Sequence, residues 1–140
     1  MSHADKAVEL FMTGLNCAQA VFCAFAEDFG MDSATAEKVS AGLGGGVGRQ
    51  REVCGTVTGA ALVLGLKFGP DKMNVYSHVQ NLSNKFKDEC GSIVCRELLA
   101  GTGATQGGNA EPRTPEYYKK RPCVELVRLA AELCEAELAP

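Results

Sequence analysis

Tryptophan is absent and aromatic residues make up only 6% of the 140 residues, so the core has to be built mainly from aliphatic and alanine side chains. Clustered positive charge is missing too. The 14 Lys and Arg residues are scattered among 17 Asp and Glu, for a net charge of -3. Nucleic-acid binding, which needs grouped cations to release counterions, has no footprint here. The one basic run, Lys119, Lys120 and Arg121, is short and reads as a solvated approach to a helix. The opening MSHADKAVELF has no basic segment leading into an apolar one, so no secretory signal is expected. The longest mostly apolar stretch, Ala60 to Leu66, is far below the roughly 18 residues of a membrane span. These absences predict a cytoplasmic protein with no membrane insertion.

Strand-like alternation is also hard to find, whereas helical periodicity recurs along the chain. The expectation is all-α: one domain over residues 1–140, a compact bundle of about six to seven helices, with a glycine-rich loop before the central one. A chain of this length buries roughly two thirds of its unfolded surface and can fold without disulfide staples. Asp5 to Thr13 place Ala7, Val8, Leu10 and Phe11 on one side, and Gly14 stops that helix. Asn16 is a good cap for CAQAVFCAFAEDF, which Gly30 ends. A third helix runs from Asp32 or Ser33 through Val39.

A fourth covers about Val53 to Lys67, where Gly55, Gly59 and Gly65 each cost about 1 kcal/mol relative to alanine. Gly55 and Gly59 share a face on which another backbone can approach closely, so this helix is expected to be central and buried. Pro70 and Asp71 start the clearest amphipathic helix, with Val75, Val79, Leu82 and Phe86 in register. Gly91 and Ser92 recap the path into IVCRELLA. Residues 101–114, rich in glycine, form the one long loop or mobile segment, and Pro122 opens a last helix through Leu138.

The densest glycine stretch is AGLGGGVGRQREVCGTVTGAALVLG, residues 41–65. It is not a phosphate loop, because Arg49 and Gln50 stand where lysine and a hydroxyl are required. It is not a dinucleotide loop either: Val47 replaces the third glycine and the preceding segment is helical. No nucleotide is expected. The run instead delivers Cys54 to a helix start, where free N–H groups carry partial positive charge and favour a thiolate. Arg49 or Arg51 adds positive potential.

Seven cysteines in a cytoplasmic chain cannot all pair within one molecule, which directs attention to reactive, redox or metal-ligating thiols. Four share one placement. Cys17 follows Asn16, Cys54 ends the glycine run, Cys95 lies three residues after Ser92 and Cys123 follows Pro122, each at or near a helix N-terminus. Their separations of 37, 41 and 28 residues exclude a local zinc knuckle, so only the tertiary fold can bring them together. Cys90 and Cys95 make a C-x4-C without the C-x2-C of a plant-type ferredoxin. Cys23 and Cys134 read as small buried hydrophobes. Cys90 divides evenly between a surface thiol and a resolving partner for Cys95. His78 and His3 read as structural or solvent-facing rather than as metal ligands.

The blocks NCAQAV (16–21), GLGGGVG (42–48), CGTVTGA (54–60), GSIVCRELL (91–99) and CVELVRLAAEL (123–133) resemble, in order, the putative redox-active proteins named C_GCAxxG_C_C. The likeness spans nearly the whole chain. It places the family cysteines on Cys17, Cys54, Cys95 and Cys123 and the motif glycines on Gly55 and Gly59, which it offers as cofactor-contacting positions. Thr56 departs from the family's alanine. Cys23, Cys90 and Cys134 have no place in the pattern. Members of this family often lie beside transporter genes or are fused to redox modules, which implies a redox or transporter partner.

Three functions compete. In the first, Cys17, Cys54, Cys95 and Cys123 converge as metal ligands on an iron–sulfur cluster or zinc, for electron transfer or redox sensing. In the second, Cys54 is a reactive thiol and one of the other three resolves its disulfide. In the third, a non-catalytic helical partner of a transporter or redox complex uses its cysteines mainly for packing. Acid–base catalysis has little support, because neither a Ser/His/Asp arrangement nor a carboxylate pair is apparent, and Glu52 beside Cys54 points elsewhere on its helix.

Overall fold

Capping chemistry sets where the helices begin. The Ser2 hydroxyl accepts from the Asp5 N–H and opens α1 (His3–Met12). Asn16 and Gln19 form a reciprocal capping box on α2 (Cys17–Ala26), and Asp32 caps α3 (Ser33–Ser40). Each supplies an acceptor to N–H groups that have no partner within the helix. After the glycine-rich segment come α4 (Gly55–Phe68) and α5 (Lys72–Cys90), the latter capped by the Asp71 carboxylate. Three further helices, α6 (Cys95–Leu98), α7 (Pro115–Lys120) and α8 (Cys123–Leu138), complete the chain.

This computed structural model describes residues 1–140. The all-α expectation holds, with no strand beyond an isolated antiparallel bridge between Val53 and Val94. The seven segments read from periodicity are all helical, and α7 is an eighth: six residues too short to show a period, capped by Thr114 with Pro115 in the first turn. No helix is long and apolar enough to cross a membrane.

The centre of the fold is α4, in contact with α2, α5 and α8. It buries Val57, Ala60, Val63 and Leu64, which share one core cluster with Phe11, Phe22, Phe25 and Phe86. The α2–α4 crossing is close because small residues meet there. A methyl group on Gly59 would stand 2.6 Å from the Ala18 carbonyl oxygen and 3.1 Å from its Cα.

Cys23 and Cys134 are buried in the core as small apolar side chains, and Cys90 is half-buried at the end of α5. Both histidines are structural. His78 stacks on Phe68 and bonds the buried Glu137 carboxylate at 2.7 Å. His3 stacks on Phe25 between Asp28 and Glu135.

The close crossing makes a directional prediction. Gly59→Ala drives a methyl into the Ala18 backbone and is expected to destabilise the protein by about 1–3 kcal/mol. Gly65, in the same helix, has nothing within 4 Å of an added methyl, so Gly65→Ala is expected to stabilise by about 0.5–1 kcal/mol through helix propensity alone. Urea denaturation of both variants measures the two signs; stabilisation by Gly59→Ala contradicts the packing account.

Candidate functional site

The glycine-rich segment is a left-handed turn as well as a connection. Gly45, Gly46 and Gly48 have φ of 67°, 72° and 58°, and Val47, Arg49 and Arg51 share that region at 64°, 63° and 59°. Side-chain-bearing residues enter it at a cost of about 1–2 kcal/mol each. Backbone bonds from Arg49, Arg51 and Glu52 N–H to the carbonyls of Gly44, Gly45 and Gly46 hold the turn closed. Gly46 is confined for a second reason, since a methyl there would lie 2.8 Å from the Cys95 Cβ.

The chain leaving this turn pairs with the lead-in to α6. The Cys54 N–H donates to the Ile93 carbonyl at 2.7 Å, and the Cys95 N–H to the Glu52 carbonyl at 2.6 Å. Two helix starts distant in sequence are thereby fixed side by side. The α2–α4 crossing brings in a third, because a methyl on Gly55 would lie 3.3 Å from the Cys17 Cβ. The fourth comes from α8.

Cys17, Cys95 and Cys123 are the first residues of α2, α6 and α8, and Cys54 is the residue on which α4 begins. All four line one small cavity of about 50 Å³, room for a few water molecules. All seven cysteines are free thiols, and Cys23, Cys90 and Cys134 take no part in the cavity wall. Of the motif glycines, Gly55 lines the cavity, whereas Gly59 faces Ala18 and serves the helix crossing.

The thiols are not equivalent. Burial pushes Cys54 up to about 11, and its 3.1 Å hydrogen bond with Thr56 opposes this only in part. At Cys54 desolvation of a buried anion opposes the favourable helix end. Cys17 and Cys123 line the same cavity. Interaction with the Cys17 thiol holds Cys123 below the ordinary thiol value of 9.0, opposed by burial and aided by Arg121, Arg113 and Arg51. Cys17 itself is raised well above that value by the neighbouring Cys123 and by burial.

Arginines surround these sulfurs. Arg51, Arg113 and Arg121 line the cavity. Arg51 is 6% exposed and directs one guanidinium N–H at the Cys95 sulfur, 3.6 Å away. Arg121, read from sequence as part of a solvated run, is buried, stacks over Tyr117 and donates to Glu111 at 2.6 Å. The 101–114 segment contains no helix, as expected, but it is tied to the site. Its Thr105 and Gly107 carbonyls accept from Arg51 and Arg49, and its Glu111 carboxylate accepts from Arg49 at 3.1 Å.

The family model described as "Putative redox-active protein (C_GCAxxG_C_C)" matches residues 15–137. The chain belongs to this family. The family name carries a redox role and no particular metal or reaction. No curated protein and no solved structure matches the chain. The C_GCAxxG_C_C match takes in the four cavity cysteines, the arginines around them and the 101–114 segment.

The donor type and number suit an iron–sulfur cluster or zinc, but the spacing of the side chains does not. No three Cys, His, Asp or Glu side chains are grouped as a ligand set for an ion.

The order of thiol reactivity follows. As pH rises, alkylation of Cys123 in the reduced native protein is expected to set in below the ordinary value of 9.0 and that of Cys54 only near about 11. Rates read peptide by peptide by mass spectrometry check this; Cys54 reacting first at neutral pH contradicts it.

Proposed function

We propose that the protein is a two-electron dithiol–disulfide redox protein whose reacting pair is Cys123 and Cys17. The observation that carries this reading is their shared small cavity, with one member below and the other above the ordinary thiol range. A nucleophile and its resolving thiol differ in this way.

The Cys123 thiolate attacks one sulfur of a small disulfide. A Cys123–substrate bond forms, the substrate S–S bond breaks, and the first half leaves as a thiolate that takes up a proton. Cys17 loses its proton as it attacks Cys123 Sγ, which closes the Cys17–Cys123 disulfide and expels the second half. Two electrons pass from the protein to the substrate; one leaving sulfur takes the Cys17 proton and the other takes from solvent the equivalent of the proton that Cys123 released on ionising. Positive charge from Arg121 and Arg113 supports the starting thiolate. Three of the four family cysteines are buried, and the narrow chamber favours a small-molecule substrate over a folded protein disulfide.

A second reading, a metal centre on Cys17, Cys54, Cys95 and Cys123, draws on their common cavity. It requires the side chains to move together and the protonated thiols to ionise. A partner that delivers electrons, including a redox or transporter complex, is compatible with either reading.

Reduced, metal-free protein is expected to consume about one equivalent of hydroxyethyl disulfide, closing one intramolecular bond. Cys123→Ser abolishes the reaction, Cys17→Ser stops it at the mixed disulfide, and Cys134→Ser leaves it intact. Stoichiometric iron or zinc in anaerobically purified protein, with no thiol consumption, replaces this reading with the metal centre.

A further inference from the structure

A second cavity of about 280 Å³ adjoins the cysteine chamber, and Arg51, Arg113, Tyr117 and Arg121 are common to both walls. Its charge is lopsided. Arg49, Arg51, Arg113 and Arg121 face it, and Glu111 is its only carboxylate. Glu111 accepts from Arg49 at 3.1 Å and Arg121 at 2.6 Å. Arg113 donates to the Phe11 and Leu15 carbonyls, so no carboxylate offsets its charge.

Arg51 is the telling residue. It is 6% exposed, yet its Nη2 is buried without a hydrogen-bond partner and stands 3.6 Å from the nearest Glu111 oxygen. A buried guanidinium N–H without an acceptor carries a desolvation cost that a native structure seldom leaves standing. The left-handed conformation of Arg51, itself unfavourable for a residue with a side chain, places it there.

We propose that this vestibule binds the oxygen-bearing anionic group of a small molecule, with Arg51 Nη2 as its principal donor and Arg49, Arg113 and Arg121 supplying the remaining positive charge. Guanidinium forks are suited to carboxylates and to oxyanions such as sulfate. The shared wall puts the anion next to the chamber that Cys123 and Cys17 line. Its role as part of the substrate rests on the dithiol reading; binding itself does not. The anion is either a free inorganic oxyanion or the carboxylate of a small disulfide.

Sulfate, which does not oxidise thiols, probes the site alone. Titration calorimetry on the reduced wild-type protein at low ionic strength is expected to give a dissociation constant on the order of 1 mM or tighter, weakening with added sodium chloride. Arg51→Lys is expected to weaken it about tenfold, through loss of a charge-assisted hydrogen bond. The wild-type titration stands even if that variant fails to fold, and no sulfate binding at tens of millimolar overturns the proposal.

A second arm compares oxidation by dithiodipropionate, which carries two carboxylates, with oxidation by neutral hydroxyethyl disulfide. Oxidation by dithiodipropionate at about tenfold lower concentration, inhibited competitively by sulfate, assigns the anion to the substrate. Equal oxidation by the two, with sulfate bound, assigns the site to a free oxyanion. Sulfate binding in a protein that reacts with neither disulfide removes the dithiol reading and leaves the anion site in place.

Discussion

The contact between Gly59 and the Ala18 backbone is the constraint on which the cysteine chamber depends. Helices carrying side chains at that crossing cannot come so near, and only at this spacing does Gly55 lie against the Cys17 side chain. The crossing thus joins the starts of α2 and α4. The bridge between Val53 and Val94 joins the starts of α4 and α6. A helix whose interior glycines weaken it in isolation is kept helical by its packing against α2, α5 and α8.

Enclosure has an electrostatic consequence. Four thiols at helix starts favour ionisation, while removal from water opposes it, and the balance differs from one sulfur to the next. Cys54, deep in the fold, stays protonated despite its bond with Thr56. Cys123, lowered by the neighbouring Cys17 and by Arg121, Arg113 and Arg51, is the thiol on which negative charge is favoured. Arg121, Arg113 and Arg51 offset that charge, and the 101–114 segment keeps two of them in place, Arg51 through the Thr105 carbonyl and Arg121 through the Glu111 carboxylate.

Much of this arrangement was legible in the sequence because local chemistry determines it. Asn16 before Cys17 and Pro122 before Cys123 mark helix starts, and the glycine pair at 55 and 59 marks a close crossing. What was hidden depends on contacts between distant residues. Arg121 sits beside two lysines and looks solvated until Glu111 and Tyr117 are folded around it. Arg113 follows a proline in a loop, and nothing local announces that it reaches the Phe11 carbonyl. Thr56, a small departure from the family's alanine, turns out to bond the Cys54 sulfur. The environment of Cys54 is hidden for the same reason, since helix position can be read from neighbours whereas desolvation cannot.

The central claim is that the four helix-start cysteines form one chamber in which Cys17 and Cys123 are the pair that exchanges electrons. The most direct measurement is a non-reducing peptide mass map of protein oxidised by one equivalent of a small disulfide after anaerobic, metal-free preparation. The account predicts a single cross-link joining the peptides that carry Cys17 and Cys123, with Cys54 and Cys95 still free. A cross-link that involves Cys54 and leaves Cys123 as a thiol contradicts it.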